Sequence, residues 1–336
     1  MTQPFVTIAI PCLNEARYIE KALATIAAQT YPHDRFEILV ADGGSTDGTR
    51  DILARLGADD ARIRMIDNPK RLQAAGMNEM LAVAKGEIIV RMDVHCEYAP
   101  DYVEACVRVL DQTGADNVGG AQRARAETTF QHALCAALTS PLGVGGAKYR
   151  SEDAEGFVDT VFLGAFRRAV LDRVGAYDPG AITNEDAELN QRILDAGGKV
   201  FLSKEIVVHY FPRASLEALA KQYYRYGRGR ARTLLKHGRL TTIRPALPAM
   251  MVAGGLSLLA TSLVQPFTIP AFAMYGAGVL AEAIRVGRRE RASIPTIAAI
   301  FPTLHVAHGT GFLIGLVRYG VSPDWTDEAK LQPRNA

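Results

Sequence analysis

Residues 36–56 read FEILVADGGSTDGTRDILARL, and this stretch decides the expected fold. Its apolar start, Phe36–Val40, is strand-like, and Asp47–Leu56 has helical spacing. Between them, Asp42–Gly48 is rich in aspartate, glycine, serine and threonine, which form turns and cap helices. The stretch therefore predicts a strand, a polar turn and a helix in succession.

The same alternation extends along residues 1 to about 240. The other strand-like segments are Phe5–Ile10, Ile63–Ile66, Glu87–Met92 and Val200–Tyr210, and the other helical segments are Glu15–Gln29, Leu72–Ala84 and Glu185–Ala196. Alternating strands and helices predict an α/β fold with a mostly parallel sheet and helices on both faces. Ligands of such sheets bind at the carboxyl ends of the strands.

Length and cysteine content narrow the class of protein. The chain has 336 residues, 48% of them hydrophobic, which exceeds the roughly 100 to 200 residues of one ordinary domain. Its four cysteines include no C-x-x-C pair, so they fit neither a zinc ribbon nor a disulfide framework, and a reducing compartment is expected. Met1–Asn14 has no basic segment before its apolar run, so we expect a strand here and a cytoplasmic first domain.

Charge and apolar residues are concentrated in the second half of the chain. The net charge is +2, yet Lys221–Arg244 holds eight Lys or Arg and no acidic residue. Pro245–Ala281 then runs for 37 residues and Ala292–Val317 for 26 without a charged side chain. A helix needs about 20 apolar residues to cross a bilayer, so these runs predict membrane segments, with a buried core as the alternative.

These patterns divide the chain into four predicted parts. They are a sheet domain over 1–220, a basic juxtamembrane or lid segment over 221–244, a membrane region over 245–318 and a tail over 319–336. The membrane region should hold two or three hydrophobic helices. Pro295, Pro302, His305 and His308 make the last of them a poor lipid-exposed helix, so it is predicted to be re-entrant or interfacial.

Polar clusters follow several of the predicted strands. They are Pro11-Cys-Leu-Asn14-Glu15, Asp42–Gly48, Asp93-Val94-His95 and Thr183-Asn184-Glu185-Asp186. Each cluster alone has an ordinary interpretation as a turn, a solvated loop or the acidic start of a helix. Their order along the chain favours a shared site at the sheet edge.

Together these residues resemble the family-2 glycosyltransferases, which have the GT-A nucleotide-sugar fold, over roughly Phe5–Gly238. The sequence IPCLNE matches the family's first strand and loop, and ADGGSTDGT matches its second-strand aspartate loop. Asp93-Val94-His95 stands where the family has D-x-D, with His95 in place of the second aspartate. Asn184-Glu185-Asp186 matches the catalytic E-D position.

The carboxyl-terminal part of the resemblance is weaker. Gln222-Tyr-Tyr-Arg225-Tyr-Gly-Arg228 matches the Q-x-x-R-W of polymerising members, with Tyr226 in place of tryptophan. The strings NPKRLQAAGMN, RMDVH and YGRGRAR are most similar to the succinoglycan-type exopolysaccharide glycosyltransferases. Members of that group also carry a hydrophobic C-terminal region.

Roles for individual residues follow from this resemblance and from the chemistry of a nucleoside diphosphate sugar. The nucleotide is expected to contact Pro11, Asn14, Glu15, Asp42 and Arg71, and the diphosphate to contact Gln222, Arg225 and Arg228. A divalent metal is expected on Asp93 and His95, with His209 as a second candidate ligand. The mixed oxygen and nitrogen ligands favour Mn²⁺, with Mg²⁺ left open.

Asp186 is the predicted general base for the acceptor hydroxyl, and Glu185 beside it would orient it or bind the acceptor. The resemblance implies inversion at the anomeric carbon. The expected reaction is transfer from a UDP-sugar, UDP-glucose being the first candidate, to a polyprenyl-diphosphate-linked saccharide in exopolysaccharide assembly. The catalytic domain would lie on the cytoplasmic side of the cell inner membrane, in contact with membrane lipids and without a nucleic-acid partner.

The sequence leaves three alternatives open. Two are enzymes: a processive polysaccharide synthase and a transferase that acts on polyprenyl monophosphate. Tyr226 and the small number of hydrophobic segments speak against the synthase. The third is a membrane-bound nucleotide-sugar sensor, which the joint presence of Asp42, Asp93 and Asp186 disfavours.

Overall fold

The computed structural model describes residues 3–144, 148–262 and 269–325. The strands are β1 Val6–Cys12, β2 Phe36–Asp42, β3 Ile63–Asp67, β4 Ile88–Arg91, β5 Cys96–Tyr98, β6 Asn117–Gly120, β7 Gln122–Ala124, β8 Gly156–Phe157, β9 Phe162–Arg167, β10 Val200–Leu202 and β11 Val208–Tyr210.

The helices begin with the set that alternates with these strands: α1 Ile19–Ala27, α2 Thr49–Asp59, α3 Gln73–Val83, α4 Tyr102–Thr113, α5 Thr129–Leu138, α6 Pro141–Val144, α7 Arg168–Val174 and α8 Glu185–Asp195. Four longer helices follow: α9 Leu216–His237, α10 Leu247–Ser262, α11 Ile269–Arg289 and α12 Ile294–Val321.

Eight strands form the main sheet in the order β3-β2-β1-β4-β9-β6-β10-β8. The strands β1 to β4 pair in parallel, whereas β9 runs antiparallel to both of its neighbours. Every residue of β1 and β2 is buried, and apart from Thr7, Glu37 and Asp42 their side chains are apolar, as expected for strands covered on both faces. The predicted α/β fold is confirmed, with a mixed sheet.

The parallel register brings the ends of several strands to one edge of this sheet. Cys12 at the end of β1 pairs with Asp42 at the end of β2, and Asp42 pairs with Asp67 at the end of β3. Arg91, the last residue of β4, pairs with Ala9 of β1. The polar clusters that follow β1, β2 and β4 therefore start from neighbouring positions.

One predicted strand is wrong. Val200–Tyr210 forms two strands, and β10 belongs to the main sheet while β11 belongs to a three-stranded sheet with β5 and β7. A turn separates them, in which the Ser203 hydroxyl accepts a 3.2 Å hydrogen bond from the backbone N–H of Glu205. This local bond competes with continued strand pairing.

The chain divides into two compact units, and the first contains the main sheet. Its described residues are 3–123, 151–210 and 325, and the second unit holds 124–144, 148–150, 211–262 and 269–324. The sequence assigned all of 1–220 to one domain. The segment around α5 lies instead in the helical unit, because Ala133, Leu134 and Ala137 share a hydrophobic core with α12.

Within the second unit, α9 and α12 pack closely through glycines. A Cβ on Gly311 would lie 2.1 Å from the backbone oxygen of Tyr224, and one on Gly315 would lie 3.1 Å from the Cα of Arg228. Small residues spaced four apart permit this approach of two helix backbones. The basic segment predicted over 221–244 is thus mainly helical, since α9 continues to His237.

Two helical stretches of the described residues are long and apolar enough to cross a membrane, Arg244–Ser262 and Ile294–Val321. They differ in environment. Within the 18-residue apolar part of each stretch, 6% is buried in the first and 44% in the second. In α12, Ile297, Ile300 and Phe301 are fully buried. The helix is continuous through Pro302.

Candidate active site

Asp42 organises the loop after β2. Its side chain is fully buried, and Oδ2 accepts hydrogen bonds from the backbone N–H of Gly44 (2.9 Å) and Ser45 (3.0 Å) and from Nη1 of Arg50 (2.8 Å). The contact from Ser45 to Oδ1 is longer, at 3.4 Å. Burial acts to raise the pKa of Asp42, but hydrogen bonds from the hydroxyl and backbone N–H of Ser45, from Arg50 and from Gly44 lower it below its usual value. Asp42 is therefore an ionised acceptor at neutral pH.

The loop after β1 is joined to this aspartate loop by hydrogen bonds. The backbone N–H of Asn14 donates to the Ser45 hydroxyl (2.7 Å), and Asn14 Oδ1 accepts from the backbone of Thr46 (2.9 Å). The backbone N–H of Glu15 donates to the Thr49 hydroxyl (2.8 Å). Asn14 has a φ of 55°, a conformation that costs free energy outside glycine and is enriched at functional sites.

Pro11 and Arg71 lie beside the same loop. Pro11 pairs with Ala41 in the sheet, one residue before Asp42. Arg71 is exposed with a φ of 57°, and a Cβ added to Gly43 would lie 3.5 Å from the Arg71 Cα. All five residues predicted to bind nucleotide therefore belong to loops or strands that meet around Asp42.

Asp93 and His95 follow β4 and have different surroundings. The Asp93 backbone N–H donates to the Tyr98 hydroxyl (2.5 Å), and its carboxylate is 26% exposed. The His95 ring is 47% exposed, with Nε2 lying 2.9 Å from Oε1 of Glu15 and its edge against Tyr18. The predicted metal ligand His95 thus contacts the predicted nucleotide ligand Glu15.

Arg91, at the end of β4, contacts three carboxylates. Its Nη1 lies 2.9 Å from Glu185 Oε1 and 2.5 Å from Asp186 Oδ1, and its Nε lies 3.3 Å from Asp93 Oδ1. The Arg91 side chain is 3% exposed. This ion cluster brings the predicted metal-binding loop and the predicted catalytic pair together, although they are more than 90 residues apart in sequence.

The pKa of Asp186 is strongly perturbed in this cluster. It is raised to about 7, with burial as the largest cause, Arg91 opposing the shift, and Glu185 and Asp93 adding to it. Burial also raises the pKa of the neighbouring Tyr177 hydroxyl, so that group is neutral. A carboxylate with a pKa near neutrality can accept a proton at working pH, as a general base must.

The remaining predicted site residues lie elsewhere. His209 is on β11, opposite Glu97 of β5, so the small sheet holds it near the end of the 93–95 loop. Gln222, Arg225 and Arg228 lie on α9 in the second unit. There, Gln222 Nε2 donates to the Tyr226 hydroxyl (3.0 Å) and Arg228 Nη2 donates to the Tyr319 hydroxyl (3.2 Å).

Among residues 3–144, 148–262 and 269–325, no group of three or more His, Cys, Asp or Glu side chains could hold a metal ion by itself. Asp93 offers one partly exposed carboxylate. Mn²⁺ and Mg²⁺ accept oxygen ligands from carboxylates and from phosphates alike. Asp93 alone does not make a metal site, so the residues present would fit a divalent ion only if it had further oxygen ligands.

Arg91 is a residue of this cluster that the sequence did not predict. A signal for it exists, because a strand predicted as IIVRM places an arginine among apolar residues of a central strand. Arginine is almost never fully buried without a partner. The sequence does not say which of its acidic residues those partners are.

Comparison with known proteins agrees with this fold. Residues 7–175 match the family model described as Glycosyl transferase family 2. The succinoglycan biosynthesis protein ExoA of Rhizobium meliloti is 37% identical over 311 residues, covering 91% of this chain and 93% of that protein. The glycosyltransferase AglE of Haloferax volcanii is 30% identical over 68% of this chain and 73% of its own length.

A solved structure supports the same fold. The mannosyltransferase PcManGT of Pyrobaculum calidifontis, in complex with GDP-Man and Mn²⁺, superposes with a TM-score of 0.64 at 21% identity, over 93% of this chain and 88% of that one. The family model and the long match to ExoA establish the family. The chain belongs to glycosyl transferase family 2.

Proposed function

We propose that this glycosyltransferase transfers a sugar, with inversion, from a UDP-sugar to a polyprenyl-diphosphate-linked saccharide during exopolysaccharide assembly. The observation that carries the proposal is the cluster in which buried Arg91 joins Asp93 to Glu185 and Asp186. In this cluster, Asp93 is suited to act on the sugar donor and Asp186 is suited to accept a proton. The relative from Rhizobium meliloti, described as a succinoglycan biosynthesis protein, supports the exopolysaccharide context.

The nucleotide is proposed to bind at the loops around Asp42. An ionised carboxylate accepts hydrogen bonds from a ribose hydroxyl or a uracil N–H. Pro11, Asn14, Glu15 and Arg71 are proposed to complete this site through backbone and side-chain contacts.

Asp186 is proposed to remove the proton from the acceptor hydroxyl as that oxygen attacks the anomeric carbon. The bond to the diphosphate breaks from the opposite face, and the leaving group departs as UDP. One displacement inverts the anomeric configuration. Glu185 is 6% exposed and bonded to Arg91, so its proposed role is to hold the cluster in place rather than to accept the proton.

A divalent ion, Mn²⁺ or Mg²⁺, is proposed to bind at Asp93 with the donor, where it would supply Lewis-acid stabilisation of the leaving group. The solved mannosyltransferase containing Mn²⁺ is consistent with this assignment. His95 and His209 stay predicted ligands. Gln222, Arg225 and Arg228 likewise stay predicted contacts of the diphosphate.

Membrane attachment is proposed to use α10 and the first half of α11. Large apolar side chains are exposed along both, among them Met250 (62%), Leu256 (59%) and Met274 (75%). A helix that is apolar on all sides is suited to lipid. The helix α12 is proposed to remain in the core of its unit, because its buried residues pack against α5.

The arginines that flank these helices favour a cytoplasmic face of the inner membrane. They are Arg239 and Arg244 before α10, Arg285, Arg288 and Arg289 in the last part of α11, and Arg291 just after it. Cationic residues are enriched on the cytoplasmic side of membrane segments. A lipid-linked acceptor would present its saccharide at the cytoplasmic face of the membrane.

The proposal is tested by incubating purified protein and a membrane lipid extract with labelled nucleotide sugars, and measuring which label enters the lipid phase. A UDP-sugar is expected to label the lipid, with Asp186→Asn as the inactive control and exposed Asp195→Asn, on the same helix, as the active one. Labelling by a GDP-sugar and by no UDP-sugar would contradict the proposed donor. Absence of lipid labelling with every donor would contradict the proposed reaction.

A further inference from the structure

Arg91 stands out because it is a buried cation shared by carboxylates from two parts of the site. Its side chain is 3% exposed, and that of Glu185 is 6% exposed. Burial acts to lower the pKa of Arg91, but Asp186, Asp93 and Glu185 raise it above its usual value. The guanidinium is therefore permanently charged inside the protein.

Stability alone is a weak reason for such a cluster. Removing ions from water costs several kcal/mol for each ion, and apolar residues of similar volume are often as stabilising. Three carboxylates around one arginine also leave an excess of negative charge. The arrangement is more readily explained by the geometry that it imposes, since the planar guanidinium donates in fixed directions.

We propose that Arg91 is a positioning residue that acts through Asp186, orienting its carboxylate toward the acceptor hydroxyl while fixing its distance from Asp93. This inference rests on the proposed function. The Nη1 atom bonds both Glu185 and Asp186, and Nε of the same group faces Asp93. Rotation of the Asp186 side chain would therefore break an ion pair.

Arg192 is a matched control in the same unit. It also pairs with an acidic residue of α8, because its Nη2 lies 2.9 Å from Oε2 of Glu188, which is 1% exposed. Its guanidinium donates further to the carbonyl oxygens of Val174, Gly175 and Ala176. No residue of this second network has a proposed part in the reaction.

The first test compares Arg91→Lys with Arg192→Lys in the full chain. Lysine keeps the charge but loses the planar fork. For Arg91→Lys we expect kcat to fall about 10²-fold, the order that a 1 Å displacement in an active site can cost, with UDP affinity unchanged within twofold. For Arg192→Lys we expect kcat per UDP-binding molecule to stay within twofold of the unsubstituted protein. We expect this substitution to lower the melting temperature instead.

The second test is a double-mutant cycle with Asp186→Asn. If Arg91 acts through Asp186, Arg91→Lys should reduce the residual transfer of Asp186→Asn by less than threefold, because residues that act as a unit are not additive. A full 10²-fold further loss would overturn the inference. Loss of UDP binding in both Arg91→Lys and Arg192→Lys would also overturn it, because that result would indicate that Arg91 only maintains the structure. Normal transfer by Asp186→Asn alone would instead refute the base assignment in the proposed function.

Discussion

The pH dependence of transfer is the prediction that follows most directly from the site. As the proposed base, Asp186 must be ionised to accept a proton, and its pKa is raised from 3.8 to about 7, mainly by burial. Activity should therefore be lost as pH falls through 7. At pH 6 about one tenth of the molecules would carry the ionised base, and at pH 5 about one hundredth.

The assay is kcat/KM for sugar transfer between pH 5 and 9, at saturating metal, in full-length protein. The logarithm of kcat/KM should rise with a slope of one up to about pH 7 and then become flat. Asp186→Asn should lower transfer by about 10² to 10⁴-fold, the contribution of general-base catalysis, and remove the slope from the residual rate. UDP affinity should change little.

Two results would refute this reasoning. A rate that is flat from pH 5 upward would mean that the base has an ordinary carboxyl pKa. Full transfer by Asp186→Asn would mean that another group accepts the proton, and Glu185 would be tested next. The Asp195→Asn control shows whether either result arises simply from removing a negative charge from α8.

Three further predictions concern the donor loop, the metal and the membrane. Asp42→Ala should weaken UDP binding, measured by calorimetry, at least tenfold. The control is Asp67→Ala, because Asp67 is 77% exposed and also pairs with Arg50; it should change UDP binding less than twofold. Equal effects of the two substitutions would refute a nucleotide role for Asp42. A chelator should abolish transfer and Mn²⁺ or Mg²⁺ restore it, and His95→Asp should shift the preference toward Mg²⁺; an unchanged metal profile would exclude His95 as a ligand. Leu256→Asp should release the protein from liposomes in flotation after a salt wash, since an acidic residue costs roughly 2.5 to 3.5 kcal/mol at the centre of a membrane helix. Retention equal to that of Val83→Asp, at an exposed residue of α3, would contradict the proposed attachment.

Much of the fold could be predicted from the sequence because its signals are local. The run Phe36–Val40 and the turn residues after Asp42 specify a strand and a loop within 20 residues, and β2 and α2 form there. The clusters at strand ends could also be predicted, since parallel pairing brings those ends together. The register between Cys12 and Asp42 is an example.

The parts that could not be predicted depend on distant contacts. Arg91 and Asp186 are 95 residues apart, and only the folded sheet brings them to 2.5 Å. Likewise, α5 belongs to the helical unit because it packs against α12, which is distant in sequence. Hydrophobic runs identified α10 and α12 as similar segments, but burial, which differs between them, is a tertiary property.

The proposed function is the transfer of one sugar from a nucleotide donor to a membrane lipid acceptor. Its most direct test is to measure, in one reaction with the identified donor, both released UDP and the mass of the lipid-linked product. We predict equal amounts of UDP and product, with each acceptor heavier by a single sugar. UDP release without a heavier lipid, or a ladder of products with many added sugars, would contradict the account.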